Sequence, residues 1–165
     1  MPGGLFFFDR EQLETISYGL WEPIVGAYRI VLADDHAMFR QCVKDLLEGA
    51  GGLQVIGEAG DDLRLLDFFQ NEPPDMVIWG ISMPNHHGLA ATREIKLGYP
   101  EVKILILTMH REKEYVDYAL AAGAEGYLLK ENADTELFIA VDTIRRGECY
   151  VSPLVAGGGT SSSFR

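Results

Sequence analysis

Arg29-Ile30-Val31-Leu32-Ala33 is a short, nearly unbroken apolar run, and after Asp34-Asp35-His36 it gives way to Ala37–Glu48, where Phe39, Val43, Leu46 and Leu47 recur at i, i+4, i+7 and i+8. The first pattern predicts a strand buried on both faces and the second an amphipathic helix. Outward from this pair the same alternation repeats. Gly49, Gly51 and Gly52 stop the helix, and Leu53–Ala59 reads as a second strand. Asp61 caps a helix carrying Leu63, Leu65, Leu66 and Phe69, which Pro73-Pro74 ends. Met76–Trp79 is a third strand, followed by a loop from Gly80 to His87 and a helix over Leu89–Leu97. Lys103–Leu107 is a fourth strand, Lys113–Ala122 a helix, and Gly126–Leu129 a fifth strand. The last helix spans Asp134–Arg146, with Leu137, Ala140, Val141 and Ile144 as its inward stripe. Strands that alternate with helices predict βαβ units and a doubly wound α/β architecture, with a parallel sheet covered on both faces. Right-handed crossovers leave few topologies open.

The 165 residues suffice for one domain with a real core. Three regions are expected: an N-terminal extension over 1–27, the α/β unit over 28–153, and a flexible tail over 154–165, Gly- and Ser-rich from residue 156. The extension has one candidate helix, capped by Asp9, with Leu13, Ile16 and Leu20 on one face. Leu5 to Phe8 and that stripe are too apolar to stand in water, so they are expected to dock on the domain or on a second copy. The net charge is −11, with −3 in residues 1–27. Such acidity repels phosphate backbones and anionic lipid, so neither nucleic acid nor membrane is an expected partner. No apolar run could span a bilayer, and no signal peptide is recognised. Cys42 and Cys149 have no partner at metal-ligand spacing, and a reducing cytoplasmic location is the expectation.

In a parallel sheet the ligand crevice lies at the carboxyl ends of the strands. Asp34-Asp35 follows the first strand, Gly80–His87 the third, Thr108 closes the fourth and Lys130 the fifth. Adjacent aspartates at a strand end are commonly only a solvated loop or a cap. Together with a hydroxyl and an ammonium at successive strand ends, they suit Mg²⁺ and a phosphoryl group.

The runs VLADDH, ISMPNHHGL, ILTMH and EGYLLK, with GECYVSP near the end, resemble the receiver domains of two-component response regulators, above all the LuxR/NarL class. The resemblance covers residues 28 to 153. It implies a flavodoxin-like five-stranded sheet in the order 2-1-3-4-5, with Asp34, Asp35 and the Ser82 backbone as Mg²⁺ ligands. It further implies Thr108, Tyr127 and Lys130 as switch residues, a histidine kinase as partner, and a homodimer through the helix-strand-helix face around Lys113–Tyr118, Tyr127 and Asp134–Arg146. The chain departs from the pattern at one decisive place. In Ile78-Trp79-Gly80-Ile81-Ser82-Met83-Pro84 the position of the phosphoacceptor aspartate is Gly80, which has no side chain to phosphorylate.

The reading that follows is a degenerate receiver, a non-enzymatic signalling module with weakened Mg²⁺ binding, acting on transcription through an output domain or partner. Loss of the carboxylate at residue 80 is expected to leave Lys130 to pair with Asp34 or Asp35, and Gly80→Asp to restore some Mg²⁺ binding. Two alternatives stay open: an ordinary phosphoaccepting receiver altered at residue 80, and a ligand or metal sensor using His36, His86, His87 and His110 with the aspartates. No nucleophile–base pair or glycine-rich phosphate loop points to an independent enzyme. A helix-turn-helix output module would need more chain than follows Pro153.

Overall fold

The computed structural model describes residues 26–70, 72–81 and 87–155. The expected helix in the N-terminal extension, the Ser82 ligand position and His86 lie outside the described residues, as does the side chain of His87. Among the described residues six parallel strands form one sheet: β1 (Tyr28–Ala33), β2 (Leu53–Ala59), β3 (Met76–Gly80), β4 (Lys103–Thr108), β5 (Gly126–Leu129) and β6 (Tyr150–Val151). Their order is β2-β1-β3-β4-β5-β6. The anticipated 2-1-3-4-5 sheet is present, and Tyr150–Val151 extends it by pairing beside Gly126 and Tyr127.

The helices are α1 (Ala37–Glu48), α2 (Asp62–Asp67), α3 (His87–Gly98), α4 (Lys113–Ala121) and α5 (Ala133–Arg145), with one 3-10 turn over Lys130–Asn132. Asp61 does cap α2, accepting the Arg64 N–H at 2.8 Å. Beyond Pro153 the packed chain continues to Val155, which is buried and donates its N–H to the Ser152 carbonyl at 3.0 Å.

Strand side chains alternate between two cores. Val31, Ala33, Val77, Trp79, Ile104, Ile106, Tyr127 and Leu129 face one side, packing with Leu65, Ile95 and Val116 of α2, α3 and α4. Ile30, Leu32, Met76, Ile78, Leu105, Leu107 and Leu128 face the other, packing with Val43 and Leu47 of α1 and Leu137, Val141 and Ile144 of α5. Because the central strands meet water on neither face, β3, β4, β5 and most of β1 read as apolar runs, whereas the edge strand β2 carries Gln54 and Glu58. The same alternation, carried past the strand ends, puts Asp34, Gly80 and Lys130 on the α1/α5 side and Thr108 on the other.

The sixth strand is fastened by polar contacts that cross the α5 boundary. The Leu129 N–H donates to Ser152 Oγ at 3.0 Å, and Ser152 Oγ–H and Tyr150 O–H both donate to Glu136 Oε1, at 2.8 and 3.0 Å. At the amino ends of β4 and β5 Lys96 bridges Glu125 Oε2 at 2.5 Å and the Val102 carbonyl at 2.8 Å, while Glu125 Oε1 accepts the Ile104 N–H. Gly126 lets this end close: a Cβ there would lie 2.6 Å from Ile144 and 2.7 Å from Leu105.

Three tyrosines titrate with the fold, Tyr150 among them, pushed up by burial and its hydrogen bond to Glu136. Burial pushes Tyr28 up to about 12, helped by the Asp75 charge, and burial pushes Tyr127 up to about 12 as well. The folded state holds all three neutral. The contribution of Tyr28 and Tyr127 is therefore complete below the ordinary value of 10.0 and is lost as pH rises through about 12. Urea unfolding followed by circular dichroism should show a midpoint that falls between those two values, and Tyr127→Phe should flatten the fall. An unchanged slope in Tyr127→Phe counts against this assignment.

Candidate functional site

The crevice at the carboxyl edge of the sheet is organised around Asp34, which is only 5% exposed. Its Oδ1 accepts the His36 N–H at 2.8 Å and lies 3.3 Å from His36 Nδ1. Its Oδ2 lies 2.7 Å from Lys130 Nζ, and no other donor reaches that oxygen among the described residues. The Lys130 side chain is itself 9% exposed, with its ammonium 4.8 Å from the centre of the Phe39 ring. The two charges thus neutralise each other in a nearly dry setting. Of the two pairings open to Lys130, the structure forms the one with Asp34.

Gly80 stands directly under this pair. A Cβ built on it would meet Asp34 Oδ2 at 2.0 Å and Asp34 Cγ at 2.5 Å. For Gly80→Asp to restore some Mg²⁺ binding, the Asp34 side chain must therefore shift. Residue 80 has no room for any side chain while Asp34 stays where it is. Beside the pair the remaining hollow measures about 10 Å³ and is walled by Leu32, Asp34, Phe39, Val43, Ile78 and Leu107. That is the least space that admits one water molecule.

Arg40, on the first turns of α1, donates to the Asp34 carbonyl and through Nε to Glu58 Oε1 at 3.0 Å. Lys44 holds the other Glu58 oxygen at 3.0 Å. Hydrogen bonds from Lys44 and then Arg40 keep the Glu58 carboxyl below its usual value. This network fixes the backbone on which Asp34 sits. Sequence reading did not single out Arg40 or Glu58, because their pairing depends on how α1 lies against β2.

Asp34, Asp35 and His36 bring three ligand atoms within 4.8 Å of one another, a set whose number is compatible with a divalent cation. It fits Mg²⁺ poorly. Mg²⁺ asks for octahedral oxygen ligands and usually keeps several waters. Here one of the three donors is nitrogen, Asp34 Oδ2 is engaged by an ammonium, and residue 80 supplies no carboxylate. His110 belongs to other company: its ring packs edge-on to Tyr115 at 5.0 Å and its Nδ1 faces Glu112 at 3.5 Å.

Thr108 and Tyr127 are both buried, at 1% and 2% exposure. Thr108 Oγ accepts the His110 N–H at 3.2 Å, and the Tyr127 hydroxyl donates to the His110 carbonyl at 2.8 Å. The pair therefore clasps the β4–α4 loop from the α3/α4 side. Asp34, Lys130 and Gly80 are brought together, and Thr108, which follows the register partner of Gly80 in β4, turns with Tyr127 to the other face of the sheet.

Comparison with known proteins bears on the family and the fold. The family model described as response regulator receiver domain matches residues 30–142. The transcriptional regulatory protein DegU of Brevibacillus brevis is 36% identical over 127 residues, which cover 77% of this chain and 54% of that protein. The oxygen regulatory protein NreC of Staphylococcus carnosus is 39% identical over 126 residues, covering 76% and 58%. The chain thus spans about half the length of the curated relatives it matches. A LuxR-family two-component response regulator from Aurantimonas sp. SI85-9A1 superposes with a TM-score of 0.74 at 34% identity, covering 79% of this chain and 94% of that one. The isolated receiver (REC) domain of RcsB from Salmonella enterica serovar Typhimurium, solved with the phosphomimetic BeF3-, gives 0.73 at 25% identity, covering 82% and 100%.

Removing one partner of a buried ion pair strands the other charge, at a cost of about 3–5 kcal/mol. Lys130→Met should lose stability on that scale in urea titrations at neutral pH. Lys113→Met, whose ammonium is exposed on α4 beside Asp117, should change it by less than about 0.5 kcal/mol. Equal effects of the two substitutions would mean that the Asp34–Lys130 pair is not buried in solution.

Proposed function

The chain belongs to the response regulator receiver family, with its LuxR/NarL-class relatives, and from that premise we propose that it is a receiver module that signals without phosphorylation of an aspartate. The observation that carries this reading is the closed space over Gly80. Phosphoryl transfer needs an attacking carboxylate aligned with phosphorus. Residue 80 has none, and the carboxylate that fills its place is held by Lys130. Asp35 is exposed and faces His36 Nδ1 at 3.1 Å, at the rim of the crevice.

The readout parts are retained while the trigger is lost. Thr108 and Tyr127 hold the β4–α4 loop from within, so that loop has a defined conformation for a partner to recognise. The relatives are named as a transcriptional regulatory protein and an oxygen regulatory protein, and a role in transcriptional control through an output domain or partner protein follows by analogy. A second copy is the favoured partner, docking on the face of α4, β5 and α5, where Tyr118 and Ile139 are exposed. Association with a histidine kinase would then serve recognition rather than phosphoryl transfer. No helix among the described residues is long and apolar enough to cross a membrane.

Incubation with acetyl phosphate and Mg²⁺, followed by intact-mass measurement, tests the proposal. The expected result is an unshifted mass under conditions that modify a phosphoaccepting receiver run in parallel. A stable phosphoryl adduct on the unaltered chain overturns it.

A further inference from the structure

We infer that Asp34 has taken over the station of the missing acceptor side chain, and that its ion pair with Lys130 is a permanent internal occupant closing the crevice to divalent cations and phosphoryl groups. The inference rests on the phosphorylation-independent reading and supplies its physical cause. Without Asp34 in this position, Gly80 would merely be an acceptor lost. With it, the space is taken.

Three observations converge. First, a Cβ on residue 80 and the Asp34 carboxylate exclude each other, since no real Cβ tolerates an oxygen at 2.0 Å and a carbon at 2.5 Å. Second, the carboxylate is anchored at both oxygens, by the His36 N–H on Oδ1 and the Lys130 ammonium on Oδ2. Third, the Asp34 backbone is clamped from α1, where Arg40 donates to its carbonyl. Swinging Asp34 outward to meet an ion would give up the Lys130 contact and leave a buried ammonium behind, which is costly. A cation would also have to displace that ammonium from the oxygen it needs. Glycine at 80 and aspartate at 34 therefore act as one unit, each explaining the other.

The test is a double-mutant cycle on the whole chain, read as urea midpoints at constant pH: Gly80→Ala, Asp34→Ala and the two combined. Gly80→Ala should lower the midpoint markedly in the natural sequence, because the new methyl must evict the Asp34 carboxylate. In the Asp34→Ala background the same methyl finds the carboxylate gone. Of its three nearest atoms the Asp34 Cβ alone remains, at 3.1 Å, so the added loss should be much smaller. Gly80→Asp combined with Asp34→Ala returns a carboxylate to Lys130 and should recover midpoint relative to Asp34→Ala alone. Additive losses, or no recovery, overturn the inference.

Should the variants carrying Asp34→Ala fail to fold, the natural crevice decides the matter. Trp79 is the residue before Gly80, and in a Trp21→Phe background its fluorescence should stay flat on titration with Mg²⁺. Saturable quenching overturns the inference. The two readings fail separately: a phosphoryl adduct sinks both, whereas additive losses without an adduct sink only the relocation of Asp34.

Discussion

A carboxylate buried as deeply as Asp34 must be neutralised where it stands, and the rest of the crevice is arranged around that demand. Desolvating the two ions costs several kcal/mol each, which their attraction offsets only in good geometry. The pair is thus better understood as fixing an arrangement than as adding stability. Asp34 follows β1 and Lys130 follows β5, and β3 and β4 lie between those strands in the sheet. The bridge has to pass over the end of β3. The last residue of β3 is Gly80, and an absent side chain gives the clearance that the bridge needs.

Sheet alternation divides the work of the site. The Asp34–Lys130 bridge lies on the side of α1 and α5, while Thr108 and Tyr127 reach the β4–α4 loop from the side of α3 and α4. Tyr127 is anchored by burial of its ring, by its hydrogen bond to the His110 carbonyl and by the Thr108 side chain. None of these contacts depends on a charge in the crevice. The loop geometry is thus maintained by packing, by the hydroxyls of Thr108 and Tyr127 and by ion pairs of its own residues, Arg111 with Glu131 among them, which makes it a persistent surface whose shape does not require a ligand in the crevice.

Much of this was readable in the sequence for simple reasons. Buried parallel strands leave unbroken apolar runs, so RIVLA, MVIW, KILIL and GYLL declare themselves, and the strand order followed from the family resemblance. The chemical residues were found because a parallel sheet gathers its strand ends at one edge. What escaped was what depends on packing. Tyr150-Val151 is too short to carry a periodicity, and its place in the sheet is set by Ser152 and Glu136, which look unremarkable in isolation. Arg40 reads as one more charged residue on an exposed helix face until α1 is laid against Glu58. Gly80 reads as a loss in the sequence, and only the folded chain brings another side chain into the gap.

The two outermost strands bear on how copies of this molecule can meet. An exposed strand edge offers unpaired amide and carbonyl groups to any neighbour and invites indiscriminate stacking into fibrils. Here β6 caps one edge with only two residues, too short a template to seed such growth. At the other edge β2 is in contact with β1 through a register irregularity between Ile30 and Val31, and Glu58 carries its charge there. Both irregularity and charge blunt an edge. Backbone-to-backbone addition is thereby discouraged at either end of the sheet. Contact between copies is left to helix faces, where side-chain shape discriminates one neighbour from another.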